Sequence, residues 1–166
     1  MLILRGFDIL ILVRALFKDN STIIAMIIRR AKKEVLGSIV DVELQSGFVK
    51  KRDNCFKMID KLLTNKNHSV FVLVNKSSII GYISISKKGE IGFLGVDKEF
   101  RKRGFGERLL KKVLKFAKEH KINNVFLEVR INNLPAKKLY LKNGFVITKV
   151  NRQNKLNKIR MEKRLK

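Results

Sequence analysis

Arg101, Gly104 and Gly106 stand at the spacing Arg-x-x-Gly-x-Gly, directly ahead of an amphipathic stretch. Between a strand and a helix, such a loop can present several backbone N–H groups to a phosphate. Glycine removes the side chains that would block close approach of the anion. The string alone is common by chance, but three neighbouring features fit the same site. The apolar run 90–97 ahead of the loop is interrupted by Gly92 and Gly95, which mark a bulge or a close backbone approach. In the run 124–130, Val125, Leu127 and Val129 alternate with Phe126, Glu128 and Arg130. A period of two puts the apolar set on one face and Glu128 with Arg130 on the other. Further on, 134–143 reads as a helix that carries Tyr140 and is closed by Gly144 at C′.

The elements that must hold these residues follow from periodicity. Residues 27–31 read as a first strand. Residues 32–43 read as a helix with Val35, Leu36, Ile39 and Val40 on one face, and 53–65 as a second with Phe56, Ile59, Leu62 and Leu63 facing inward. A hairpin of 70–75 and 79–86 turns at Lys76-Ser77-Ser78. After the strand 90–97 and the loop, the helix 106–120 carries an apolar stripe of Leu109, Leu110, Val113, Leu114 and Ala117. It forms a crossover between two strands that can run parallel. Strand 124–130, helix 134–143 and strands 145–151 and 158–165 complete a mixed α/β order, β-α-α-β-β-β-α-β-α-β-β.

The loop RKRGFG resembles the pyrophosphate-binding motif of the GNAT acetyl-CoA-dependent N-acetyltransferases. The stretch LEVRINNLPAKKLYLKNGF is more specific. It resembles the ribosomal-protein-alanine N-acetyltransferases of the RimI type and their archaeal protein N-terminal relatives. Their pattern is L-E-V-R-x-x-N-x-x-A-x-x-L-Y-x-x-x-G-F. Leu127, Glu128, Val129, Arg130, Asn133, Ala136, Leu139, Tyr140, Gly144 and Phe145 match it. The resemblance covers residues 27–165 and implies the GNAT fold, with acetyl-CoA as cosubstrate and no metal.

The resemblance also implies roles. Tyr140 would protonate the departing coenzyme A sulfur. Glu128 would be the base that takes the amine proton, as the matching glutamate is in RimI-type enzymes. Glu90 is a second candidate, matching the base of histone-type GNAT enzymes, and the choice between the two stays open. Leu94, Gly95 and Val96 would pair with the pantetheine arm like an added strand. Lys102, Arg103, Gly104, Phe105, Gly106 and Glu107 would cradle the pyrophosphate, and Asn133 would hold the pantetheine or phosphate end. Arg101 and Arg103 are either phosphate ligands or solvated charges. The acceptor is expected to be a protein or peptide N-terminus, ribosomal proteins among the candidates. An α-amine near pKa 8 is easier to deprotonate at neutral pH than a lysine near 10.4, by about 3 kcal/mol. One departure counts against a peptide: the stretch 151–157 has no tyrosine, where RimI-type enzymes carry a longer segment with adjacent tyrosines that shape the peptide cleft. A small-molecule amine or a lysine side chain therefore stays open.

Composition bounds the reading. A chain of 166 residues, 45% hydrophobic, supports one folded domain with a real core. The single cysteine, Cys55, excludes an intrachain disulfide and fits a reducing cytoplasm; beside Phe56 it reads as a buried apolar residue. The formal net charge of +24 has two readings: lysines on solvated faces, or a surface for anions, nucleic acid included. A basic RNA- or ribosome-binding protein without catalysis is the reading from another class. No Walker lysine, metal-ligand spacing or Ser-His-Asp signature is present. The apolar stretch 2–17 contains Arg5, Asp8 and Arg14 and lacks the uncharged run that a membrane span needs. The family pattern starts near Met26, so residues 1–25 read as an extension and residues 26–166 as the acetyltransferase domain.

Overall fold

The computed structural model describes residues 26–45, 50–151 and 157–165. The expected extension 1–25 and most of the tyrosine-free stretch 151–157 lie outside these. Among the described residues the order is β1 (Met26–Arg30), a 3-10 turn (Lys33–Val35), α1 (Leu36–Leu44), α2 (Arg52–Thr64), β2 (His68–Asn75), β3 (Ser78–Ser86) and β4 (Ile91–Val96). A second 3-10 turn (Lys98–Phe100) leads to α3 (Phe105–Glu119), β5 (Asn124–Arg130), α4 (Leu134–Lys142), β6 (Val146–Asn151) and β7 (Lys158–Arg164). The expected order of elements holds throughout.

The strands form two antiparallel sheets, β1-β2-β3-β4 and β5-β7-β6. They touch at one end only. Phe126 N–H donates to Gly89 C=O at 3.0 Å, and Glu90 and Phe126 form a lone parallel bridge. Beyond that bridge β4 and β5 are not laddered, so a gap opens between them toward Val96 and Arg130. The α3 crossover gives the parallel sense.

The helices divide between the two faces. The stripe Leu109, Leu110, Val113, Leu114 and Ala117 of α3 is buried as expected, in one cluster with Val125, Leu127 and Val129 of β5 and Tyr140 of α4. On the opposite face α1 and α2 pack on β2 and β3 through Ile39, Val40, Cys55, Ile59, Val72 and Tyr82. No described helix covers that face of β5-β7-β6, where Glu128, Lys158 and Arg160 sit.

One inward residue is corrected. Phe56 is 46% exposed. The buried stripe of α2 is Cys55, Ile59 and Leu62, and Phe56 lies about 100° around the helix from Cys55. Cys55 fills the inner place, its Sγ 3.9 Å from Val40 C=O, and burial pushes its thiol pKa up.

The two glycines of β4 do different work. Gly92 and Phe93 together oppose Ser84 in a bulge, and Ser84 Oγ accepts the Phe93 N–H at 3.0 Å. A methyl group on Gly95 would stand 2.6 Å from Tyr82 Cε1. Tyr82 is fully buried beneath it and donates to Glu43 Oε2 at 2.5 Å. Burial, then the Glu43 charge, pushes the Tyr82 phenol far up.

Candidate active site

Ladder alternation decides which backbone groups face the gap. Asp97 N–H bonds Ile80 C=O at 2.9 Å, and Tyr82 pairs with Gly95. Gly95 and Asp97 thus turn their polar backbone to β3, while Leu94 and Val96 turn theirs the other way, toward β5. This gives the expected strand Leu94-Gly95-Val96 an internal division: Leu94 and Val96 face the gap, and Gly95 lets β4 lie close over Tyr82.

The loop that follows is set by backbone handedness. Lys102 has φ 61 and Gly104 has φ 81, both left-handed. At Gly104 only glycine takes that conformation without strain. Nothing lies within 4 Å of where a Gly104 side chain would start, so the space before α3 is open. The first helical bond runs from Arg108 N–H to Gly104 C=O at 3.1 Å. The N–H groups of Phe105, Gly106 and Glu107 therefore have no partner within the helix, at the positive end of a fifteen-residue dipole. These N–H groups belong to residues expected to hold a pyrophosphate, and they open onto that space.

The loop's side chains are placed less uniformly. Arg101 turns back, donating from Nε to Val96 C=O at 2.9 Å and from Nη2 to Gln45 C=O at 3.4 Å. Arg103 lies 5.6 Å from the Phe100 ring centroid. Glu107 pairs with Lys111 and Lys142, each at 2.9 Å, tying α3 to α4. These lysine hydrogen bonds, Lys111 first, hold its carboxyl below the usual range. Asn133 caps α4 by accepting the Ala136 N–H at 3.3 Å.

The titratable candidates stand on opposite faces of the sheet. Tyr140 is buried in the α3-side cluster, its ring edge-on to Phe145 at 5.7 Å, with Leu94 and Val96 packed against the same cluster. Burial pushes its phenol up to about 12. Glu128 lies on the other face, exposed, 3.2 Å from Lys158 Nζ. Glu90, also exposed, shares that face through its bridge to Phe126. Glu90 sits at the closed end of the gap, whereas Glu128 is two residues farther along β5, about 6–7 Å at strand rise. Glu128 and Tyr140 thus stand on opposite faces, one exposed and one buried.

Residues 33–145 match the acetyltransferase (GNAT) family. This chain belongs to the GNAT family. It is 40% identical over 68 residues to an N-alpha-acetyltransferase of Sulfurisphaera tokodaii, covering 40% of this chain and 41% of that protein. It is 39% identical over 75 residues to the N-alpha-acetyltransferase RimI of Mycobacterium tuberculosis, covering 41% of this chain and 46% of the relative. The match thus spans less than half the length of either relative. The fold also superposes on the PaiA N-acetyltransferase of Thermoplasma acidophilum, solved in complex with coenzyme A. There the TM-score is 0.67 at 22% identity, over 84% of this chain and 99% of that one. The GNAT fold accounts for the splayed strands and the glycine loop together.

Four contributors, Gln45, Asp97, Tyr82 and Glu43, escaped the sequence reading. Gln45 binds Asp97 and Lys98, and Tyr82 with Glu43 underpins Gly95. Asp97 alone carried a local signal, as an Asp two residues ahead of the Glu99 N–H that it caps at 2.9 Å. Among the described residues, no His, Cys, Asp or Glu cluster can hold a metal ion, and no helix is long and apolar enough to cross a membrane.

Proposed function

We propose that the chain transfers an acetyl group from acetyl-CoA to the α-amino group of a protein or peptide N-terminus, ribosomal proteins among the candidates. What supports this is the unladdered stretch of β4 and β5 beyond the bridge of Glu90 and Phe126, with Glu128 exposed on one face and Tyr140 buried on the other; the two are proposed to flank that gap. The motif shared with RimI-type enzymes supports it. When bound, acetyl-CoA supplies a thioester whose carbonyl carbon takes the amine and whose sulfur leaves. The N–H groups of Phe105, Gly106 and Glu107 would hold its pyrophosphate, and the backbone of Leu94 and Val96 its pantetheine arm.

The chain's own groups divide the proton work. Glu128 accepts a proton from the acceptor nitrogen, directly or through water, as the N–C bond forms. Lys158 pairs with that carboxylate at 3.2 Å and can be displaced, since both side chains are solvated. Tyr140 Oη holds its proton beside the site of the departing sulfur. A phenol near 12 opposite a thiol near 8.5 makes full transfer uphill by about 5 kcal/mol. Tyr140 therefore acts first as a hydrogen-bond donor to the sulfur as negative charge develops, and full transfer comes late. Glu90 replaces Glu128 in this scheme if the acceptor nitrogen sits at the closed end of the gap.

The domain is proposed to comprise residues 26–166, with 1–25 an extension, in a reducing cytoplasm where the buried Cys55 stays a thiol. A second reading, a small-molecule amine or lysine side chain as acceptor, is favoured by the missing tyrosines in 151–157. The test is an acetyl-transfer panel of peptides with free and blocked N-termini, set against polyamines and aminoglycosides. Transfer to free N-termini alone supports the first reading. Transfer to blocked lysine-bearing peptides or to small amines establishes the second.

A further inference from the structure

Gln45 ends α1, on the face of the sheet that carries Glu90 and Glu128. Its side-chain amide reaches across to the start of the cofactor loop and makes two bonds there. Nε2 donates to Asp97 Oδ2 at 2.9 Å, and Oε1 accepts the Lys98 N–H at 2.7 Å. Its backbone carbonyl takes Arg101 Nη2 at 3.4 Å, while Arg101 Nε holds Val96 C=O at 2.9 Å. Asp97 is engaged on its other oxygen as well, accepting the Glu99 N–H at 2.9 Å. One residue of α1 thus fixes both ends of the short turn between β4 and the glycine loop. The partners lie 52 to 56 residues away in sequence, so the contact orders two segments that nothing local would keep together.

The rest of the last turn of α1 serves the same junction. Val42 Cγ1 stands 3.4 Å from where a Gly95 side chain would start, and Glu43 holds Tyr82 beneath Gly95. Shifting α1 therefore moves the floor of β4 and the turn 97–101 together.

We propose that Gln45 is a positioning residue that couples the acceptor-side end of α1 to the acetyl-CoA loop, so that ordering either segment orders the other. This rests on the acetyl-transfer reading above. Two bonds of ordinary strength stand behind the coupling, so losing them weakens acetyl-CoA binding by about tenfold. By linkage, acetyl-CoA must tighten acceptor binding by the same factor that the acceptor tightens acetyl-CoA binding.

The decisive experiment reverses the polarity of the clamp. Gln45→Glu keeps an acceptor for the Lys98 N–H but sets a carboxylate against Asp97. Asp97→Asn keeps an acceptor for the Glu99 N–H and gains a donor. The double variant Q45E/D97N restores all three bonds with donor and acceptor exchanged. Acetyl-CoA titrations by calorimetry on the full chain should show about tenfold weaker binding for Gln45→Ala and Gln45→Glu. The double variant should return to within about twofold of wild type, as coupled groups do and independent ones do not. Under turnover the single variants should raise the KM for acetyl-CoA and leave kcat nearly unchanged at saturation. Hydrogen exchange at the Lys98 amide should speed up in Gln45→Ala and recover in the double variant, without ligand. Silent single variants, or a double variant no better than Gln45→Glu, overturn the proposal. A wild-type chain that does not bind acetyl-CoA overturns the acetyl-transfer reading instead. Lys98 exchange then decides the clamp.

Discussion

Gly106→Ala should raise stability and weaken acetyl-CoA binding through one methyl group. Gly106 is the second residue of α3. A methyl group built there meets Leu139 Cδ2 at 3.6 Å and Val96 Cγ2 at 3.9 Å, which is ordinary contact. The protein without ligand accommodates it. Alanine also loses less backbone freedom than glycine in a helix, by about 0.5–1 kcal/mol. For a chain of this size that raises Tm by about 1–4 °C. The same methyl projects between β4 and α4, where the pyrophosphate is proposed to lie against the first N–H groups of α3. Pushing an anion off one charge-assisted bond costs about 1.5–3 kcal/mol, or about ten- to a hundredfold in Kd. Thermal melting with and without acetyl-CoA, with calorimetry, reads both effects. Tm should rise in the free protein, and the shift caused by ligand should shrink. Gly104→Ala is the contrast: its space is open, but φ 81 makes alanine strained by about 1–2 kcal/mol, so Tm should fall. A Gly106→Ala chain that binds acetyl-CoA as wild type does would move the pyrophosphate away from this turn and refute the cradle.

Tyr140→Phe should fold, bind acetyl-CoA and lose about 10²- to 10⁴-fold in turnover, measured under saturating substrate; full activity would leave Tyr140 a packing residue. Its phenol is raised by burial from 10 to about 12, so the neutral form is favoured in the folded protein. That stability is fully present below pH 10 and is lost as pH rises toward 12; alkaline unfolding of Tyr140→Phe, compared with wild type, should begin at higher pH. Glu128→Gln should depress turnover and shift the acidic limb of the pH–rate profile; if only Glu90→Gln does so, the base sits at the closed end of the gap. A chain beginning at Met26 should fold and bind acetyl-CoA as the full chain does, by melting and titration; loss of either would make residues 1–25 part of the domain.

Local period made much of this molecule legible from residues alone. The α3 stripe repeats at helical spacing within one element, and the β5 alternation assigns Val125, Leu127 and Val129 inward without knowing what covers them. Gly104 and Gly144, both at positive φ, could be read because the need for glycine is a property of one backbone position. Phe56 was misjudged for the complementary reason. Hydrophobicity gives a residue two plausible helix faces, and only the docking of α2 on α1 selects Cys55 over its neighbour. Gln45, Tyr82 and Glu43 carried no usable pattern, because their bonds join residues 39 and 52 positions apart.

The proposed pair Glu128 and Tyr140 falls between these cases. Each motif residue was visible, and so was the exposed face of β5. Their proposed opposition across the gap rests on two facts of topology. The α3 crossover sets β4 and β5 parallel, and their pairing stops after Glu90 and Phe126. Had the ladder continued, Leu94 and Val96 would bond to β5, and no channel would separate the phenol from the carboxylate. The bulge at Gly92 and Phe93, where β4 changes its register with β3, follows the last pair of Glu90 and Phe126. A bulge bends its strand and increases local twist. The two glycines first read as interruptions of a strand therefore act in sequence: Gly92 lets β4 turn away from β5, and Gly95 lets it settle on Tyr82 once it has turned. Filling Gly95 with alanine should then close part of the gap from below, because Tyr82, fully buried and bonded to Glu43, cannot retreat from a methyl group at 2.6 Å. Overpacking of this kind costs about 1–3 kcal/mol. Gly95→Ala should thus lose both stability and acetyl-CoA affinity, in contrast to Gly106→Ala, which loses affinity alone.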